Sequence, residues 1–316
     1  WWRGALHTTL RYFVGATMLT YAMVKIIPSQ FPRNSPSQLL TTYAESSPMG
    51  LFWRFMGASP AYSIFGGVLE LVGALLLFWR RTTALGAVVL LGVLANVVMI
   101  NFCFDVPVKI FSTHLFVGCL VLLAPQLGAF ARFFLMGQAA ALAPSPGFEV
   151  HGRRAHVARL IAKIGFVGGA LTLNGYGAVM QYHKWGPGRE PRPLEGMWAV
   201  DAVDHGPAAE PPPELLRWQR VTIDPQGFVT FDTDGKRRGW SVDYAADQRR
   251  LRLYREKEGV SLETAPGSAP LDATTLELRG EIAGSPARVV LHKLGERDTV
   301  LLGRGFHWVN ERPYWR

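Results

Sequence analysis

Five apolar runs, each long enough to cross a bilayer, crowd the first 183 residues, and none follows them. The runs are Leu6–Ile27, Ala61–Trp79, Ala84–Phe102, Ile110–Phe130 and Val157–Met180. A membrane helix needs about 20 predominantly apolar residues, because lipid offers no partner to an open backbone. Beyond residue 183 the pattern changes to short alternating segments dense in Arg, Asp, Glu and Pro. The whole-chain averages conceal this contrast, with a mean hydropathy of +0.12 and 18% charged residues. The split excludes a single soluble globule and a fibrous protein. A disulfide-stapled domain is excluded as well, since the two cysteines, Cys103 and Cys119, both lie in the apolar half.

The fold class expected is a membrane α-helical bundle, four helices plus a fifth, followed by an all-β meander or barrel. The corresponding domains are residues 1–135 for the four-helix transmembrane bundle and 136–182 for a cytoplasmic loop and the fifth span. A linker at 183–195 leads to a periplasmic β-barrel-like domain at 196–316. Basic residues flank the cytoplasmic ends of membrane helices. Arg3, Arg80, Arg81, Arg132, Arg153, Arg154, Arg159 and Lys163 mark one side, against Lys25, Arg33, Arg54 and Lys109 on the other. The N-terminus is therefore expected inside a bacterial inner membrane. With an odd number of spans, the C-terminal domain is expected in the periplasm. This topology turns on the fifth run, whose alternative is an amphipathic helix on the membrane surface. The first run contains Arg11 and is followed by no small-x-small site before Pro28, so it is read as a span and not a cleaved signal. A chain that opens on Trp1 is expected to lack a few leading residues. The net charge of +9 sits largely at span ends rather than in one stripe, which excludes a nucleic-acid partner. The expected partners are the lipid bilayer and a membrane or periplasmic protein.

In the C-terminal half, strand-like runs recur at Met197–Val203, Leu216–Ile223, Phe228–Asp232, Trp240–Tyr244, Arg250–Tyr254, Thr274–Glu281, Arg288–Leu294 and Thr299–Gly303. Leu251, Leu253, Leu276 and Leu278 alternate with polar residues, as in half-buried strands. Eight short strands suggest an up-and-down barrel or a sandwich. Gly196–Met197–Trp198 resembles the Gly-x-Trp that opens lipocalin-like barrels, which implies a Trp plugging one end. A meander with a buried Trp and no ligand fits the same residues. The aromatic and basic segment Arg304–Arg316 reads either as a closing strand or as a membrane or partner contact.

Polar groups inside a span are costly and therefore informative. Glu70 is central in the second run, among Gly66, Gly67 and Gly73, which let another helix approach closely. Asn96 and Asn101 lie in the outer half of the third run, followed by Asp105 and Lys109 in the turn, with His114 one turn into the fourth. Tyr21 and Lys25 are near the outer end of the first run and Tyr62 near the outer start of the second. Arg11 and Tyr12 lie toward the inner end, as interfacial anchors. The shared depth of the outer group predicts a polar cavity opening outward with Glu70 at its floor. In that reading Glu70 and His114 handle protons, while Tyr21, Lys25, Tyr62, Asn96, Asn101, Asp105 and Lys109 line the ligand site. Structural pairing of Glu70 with a neighbouring helix is the alternative. No second His stands at helical spacing from His114, so no metal site is expected. An intramolecular disulfide is not expected either. Cys103 and Cys119 differ in depth by roughly 13–15 Å at 1.5 Å per helical residue, and a disulfide needs Cα atoms within about 7 Å.

The stretch Gly66–Gly67–Val68–Leu69–Glu70–Leu71–Val72–Gly73–Ala74–Leu75–Leu76–Leu77 with Arg80–Arg81–Thr82–Thr83 and Leu85–Gly86 resembles the DoxX-like family. So does Asn101–Phe102–Cys103–Phe104–Asp105–Val106–Pro107–Val108–Lys109 with His114 following. The resemblance covers about residues 6–135, and the fifth span and β-domain depart from it. It implies a small four-helix bacterial inner-membrane protein linked to quinone-coupled redox complexes, hence a redox-accessory subunit with quinone as the cofactor. No flavin, haem or iron–sulfur motif is present, so electrons would come from a partner. The competing expectation is a non-enzymatic membrane anchor or assembly factor whose β-domain docks a partner protein or lipophilic ligand. A solute carrier is weaker, since no inverted repeat is visible.

Overall fold

A computed structural model describes residues 2–148, 151–192, 194–205, 217–224, 227–244, 250–255, 260–265, 274–282, 284–295 and 298–303. The chain divides into two compact units. The first comprises Trp1–Arg33 and Ser47–Arg189, and the second Asn34–Ser46 and Glu190–Arg316.

The first unit is helical: α1 (Trp2–Ile26), α3 (Pro48–Ala58), α4 (Pro60–Leu77), α5 (Thr83–Cys103), α6 (Lys109–Leu123), α7 (Leu127–Phe134) and α8 (Arg153–Lys184), with α2 (Pro36–Leu40) belonging to the second unit. A 3₁₀ turn, Ala124–Gln126, joins α6 to α7. The starts of α2, α3 and α4 share one device. Each begins at a Ser-Pro dipeptide, where Pro supplies a preset φ and lacks only an N–H that would be unpaired anyway. Ser47 and Ser59 then accept the free N–H groups of Gly50 and Tyr62.

Among the described residues, four helical stretches are long and apolar enough to cross a membrane: α4, α5, Lys109–Phe134 and α8. Helix α1 has the length, 25 residues, but carries Arg3, His7, Arg11 and Lys25. It lies antiparallel along α4. A side chain at Gly15 would meet Phe78, and one at Gly67 would meet the Ala22 carbonyl 3.0 Å away. Glycines also set the α4–α5 seam, where a side chain at Gly86 would strike the Gly73 carbonyl at 2.9 Å. Met18, Leu19, Leu77, Phe78, Leu90, Leu94 and Leu122 form the core between these helices. Helix α8 runs parallel to α1. Tyr12 meets Phe166 with ring centroids 5.3 Å apart, and Met23 lies against Gly175 eleven and nine residues further on, respectively. Outward-facing side chains such as Phe13, Val72, Val88, Met99, Val117, Ile161, Ile164 and Leu173 are exposed and apolar. That surface suits lipid and is far larger than a soluble monomer tolerates.

The second unit is a closed antiparallel barrel of eight strands, each paired to its sequence neighbours, with β1 paired to β8. The strands are β1 (Gly196–His205), β2 (Trp218–Asp224), β3 (Gly227–Asp232), β4 (Arg237–Tyr244), β5 (Leu251–Arg255), β6 (Val260–Thr264), β7 (Thr275–Ile282) and β8 (Ser285–Leu294). The barrel, and not the sandwich, is thus the outcome. An eight-stranded barrel is just wide enough for side chains to fill it. Here Trp198, Trp218, Phe228, Trp240, Leu253, Leu262, Leu278 and Leu291 belong to one buried cluster. Seven of the eight expected strands are found. The eighth expectation, Thr299–Gly303, is corrected: Val300–Gly303 is a short helix, α9, and the missing strand is β6. The segment Arg304–Arg316 lies outside the described residues. Helix α2 belongs to this unit, and the Ser37 N–H donates to Asp224 Oδ1 at 3.3 Å. The residues read as a linker, 183–195, are divided between the end of α8 and the approach to β1, where Leu194 accepts the indole N–H of Trp198 at 3.1 Å.

Candidate functional site

Glu70 stands midway along α4, on the face that meets α1, and is 2% exposed. Its Oε1 accepts a hydrogen bond from Lys25 Nζ, from a side chain only 11% exposed. Gly67, one turn earlier, makes this possible, because any side chain there would strike Lys25 Cβ at 2.9 Å. The ammonium and carboxylate neutralise one another across the seam, which is how a charged pair persists in a low-dielectric interior. Glu70 Oε2 is buried and has no hydrogen-bond partner among the described residues.

The other residues expected beside Glu70 fall into separate places. Asn101 is 5% exposed near the end of α5, and its Nδ2 donates to Ser112 Oγ at 2.9 Å. Ser112 in turn donates to the Lys109 carbonyl at 2.9 Å, so this set closes the α5–α6 hairpin. Asp105 holds the left-handed position of that turn, at φ 54°, and pairs with Lys109 on the surface. The ammonium holds the Asp105 carboxyl below its ordinary range. His114 is exposed on α6, and its Nδ1–H donates to the Ile110 carbonyl at 2.7 Å within the same helix. Asn96 is exposed on α5 and Tyr21 is half-buried on α1. Tyr62, 48% exposed, stands in an aromatic row, 5.6 Å from Phe55 and 6.5 Å from Phe65 between ring centroids. That row continues through Phe52 to Phe31, Trp53 and Phe104. Such residues collect at the level of lipid headgroups.

Of the nine residues expected to form one site, the structure therefore joins Lys25 to Glu70 and, separately, Asp105 to Lys109. A quinone headgroup needs donors facing both of its carbonyl oxygens. His114 and Asn96 are exposed at the helix surface and Asn101 is engaged with Ser112, so these residues do not assemble such a site with Glu70. Neither cysteine is paired: Cys103 is exposed and Cys119 is buried in the bundle core. Among the described residues no group of three His, Cys, Asp or Glu side chains is placed to hold a metal ion.

A second set of polar residues gave no motif in the sequence, and reading Arg11 as an interfacial anchor missed it. Arg11 is 3% exposed, and His7, one turn earlier on the same face of α1, is 8% exposed. The signal that was available is the four-residue spacing of His7 and Arg11, and of Arg159 and Lys163, in helices that contain no acidic residue.

The architecture defines a class of protein with membrane-type helices in one unit and a closed, filled β-barrel in the other. The chain is 36% identical over 121 residues to the uncharacterized protein YwoB of Bacillus subtilis (strain 168), a match covering 38% of this chain and 77% of YwoB, and it belongs to the same family as YwoB. No family model matches the chain. No solved structure matches it.

Proposed function

We propose that the protein is a non-enzymatic anchor of the bacterial inner membrane, in which a five-helix bundle holds a periplasmic barrel that docks a partner protein. The observation that carries this reading is the Lys25–Glu70 pair. The buried carboxylate of the bundle joins two helices, with its cation supplied by the chain itself. The filled barrel interior supports the same reading, since it leaves the outer surface and rim to do the binding. Helix order supports the topology. Because α8 runs parallel to α1, the chain leaves both helices at the same end of the bundle. The two segments that build the second unit, 34–46 and 190–316, follow those two exits. Five crossings satisfy this, and four do not. The basic residues at the other end support a periplasmic side for the exits. The DoxX-like resemblance remains compatible with the glycine–glutamate seam; its redox-accessory role would require a ligand beside Glu70.

Native mass spectrometry of the detergent-extracted protein tests the proposal. A stoichiometric protein partner, retained in Glu70→Gln and lost when residues 190–316 are removed, is expected. A quinone that co-purifies with the parent and is lost in Glu70→Gln would overturn it.

A further inference from the structure

The end of the bundle opposite the proposed periplasmic exits carries a buried positive charge with no counter-ion among the described residues. Arg11 is almost wholly buried, yet its Nε and Nη1 have no hydrogen-bond partner among the described residues. The Nδ1 of His7, one turn away on the same face, is buried and unpartnered too. Apart from Tyr12, the charges that act on Arg11 are those of Arg80 and Arg159. Those acting on Lys163 are Arg11, Arg159 and Arg80. Among the described residues none of these is a carboxylate. Arg80 is fixed in place, with its Nε donating to the Ser145 carbonyl at 2.7 Å, and the hydroxyl of Ser145 is itself buried and unpartnered.

Within the first unit little is left to neutralise this group. The first 189 residues contain four acidic side chains, Glu45, Glu70, Asp105 and Glu149. Glu70 is engaged by Lys25 and Asp105 by Lys109. Glu45 belongs to the second unit, and Glu149 is outside the described residues. A guanidinium keeps its charge at any accessible pH and presents a planar fork of donors that suits a phosphate. The depth is also that of a headgroup. Gly15 packs on Phe78, so Arg11, one turn nearer the N-terminus, is level with the turn between α4 and α5. At that level Lys163 Nζ lies 5.3 Å from the centre of the exposed Trp79 ring.

We infer that His7, Arg11, Arg80, Ser145, Arg159 and Lys163 form a binding site for a phosphate-bearing anion at the cytoplasmic face. Basic pockets between membrane helices on that side recognise lipid headgroups in this way. The same chemistry would accept inorganic phosphate, and the two sources are separated by experiment.

The full-length protein in neutral detergent is titrated with short-chain phosphatidylglycerol, short-chain phosphatidylcholine and inorganic phosphate, and its thermal unfolding midpoint is followed. A saturable rise with phosphatidylglycerol and not phosphatidylcholine assigns the site to an anionic lipid. A saturable rise with phosphate at least as large assigns it to the free anion. Arg159→Gln and Lys163→Gln, both on the sparsely packed helix α8, should each weaken the midpoint titration about tenfold or more, the equivalent of one charge-assisted hydrogen bond. No anion-specific rise, an equal response to phosphatidylcholine, or undiminished affinity in both variants would overturn the site. So would a response that appears only in Glu149→Gln, since that would make Glu149 the resident counter-ion.

Discussion

Replacing Lys25 with methionine removes the cation from Glu70 and leaves the carboxylate where it is. Its burial, 2% exposed on the α1–α4 seam, is set by backbone packing at Gly67 and Gly15, so the helices have no room to turn it outward. Removing one partner of a buried ion pair costs about 3–5 kcal/mol. An acidic residue at the centre of a membrane helix costs about 2.5–3.5 kcal/mol on insertion scales. The ranges meet near 3 kcal/mol, about two decades in the folding equilibrium. Glu70→Gln should cost less, about 1–2 kcal/mol, because its amide oxygen still accepts from Lys25. The double change Lys25→Met with Glu70→Leu replaces the pair with apolar groups and should return to within about 1 kcal/mol of the parent. The assay is built into the bundle. Cys119 is fully buried in its core and Cys103 is exposed, so in a Cys103→Ser background maleimide labels Cys119 only when the bundle opens. Labelling rates across a denaturant series then give the stabilities of these variants without interference from the barrel. If Lys25→Met labels no faster than the parent, or if the double change is no more stable than Lys25→Met alone, the pair does not hold α1 to α4.

Four further outcomes are expected. Trp198→Ala empties the largest fully buried position of the barrel and should cost about 3–5 kcal/mol, read by tryptophan fluorescence during denaturation. Gly86→Leu drives a side chain into the Gly73 carbonyl and should abolish α4–α5 packing, seen as rapid Cys119 labelling in detergent. Glu277 is held by Arg288 and Arg279, with its pKa pushed down to about 2; this contribution is present above pH 4.5 and is lost as pH falls toward 2, so Glu277→Gln should flatten the acid limb of barrel unfolding. Asp224 behaves oppositely, since burial raises its pKa despite the Ser37 hydrogen bond. Its protonated form favours folding below the ordinary carboxyl range, and that advantage fades as pH rises through the raised value. Asp224→Asn should therefore stabilise the barrel more at pH 7 than at pH 3.

The helical half was legible because membrane spans are defined by local composition, and a 20-residue apolar run states its own structure. Helices α2 and α3 escaped notice because they interrupt what reads as one loop, although Ser35–Pro36 and Ser47–Pro48 mark their starts plainly. The barrel's β6 has the required alternation, with Val260 and Leu262 inward, but over five residues it is too short to stand out. Thr299–Gly303 misled for the opposite reason: Val300, Leu301 and Leu302 give an apolar run with no alternation, which suits a helical turn equally well. The expected site was legible only as a depth band. Spacing along a helix gives depth but not azimuth, and azimuth separates His114 and Asn96, on exposed faces, from Glu70 on the seam. Lys25 and Glu70 are 45 residues apart, so only the antiparallel packing of α1 on α4 brings them together.

The two ends of α1 show why burial alone does not identify a binding site. Near its C-terminus Lys25 is buried beside Glu70, and the charges cancel within the chain. Near its N-terminus Arg11 is buried as deeply, but among the described residues the groups that bear on it are Tyr12 and the cations Arg80 and Arg159, with no carboxylate. The same low dielectric that holds the first pair together makes the second arrangement unfavourable as it stands. A chain that can evidently place a carboxylate opposite a lysine has placed further cations opposite an arginine. The proposed anion would complete that arrangement, and Arg159 and Lys163 would couple it to α8, the helix whose exit leads to the barrel. Loss of the anion should therefore loosen α8 before it loosens the α1–α4 seam. Hydrogen exchange in phosphate-free detergent, with and without phosphatidylglycerol, would show it as protection gained at residues 153–166 and unchanged at 67–77; equal changes at both would separate the anion from the helix.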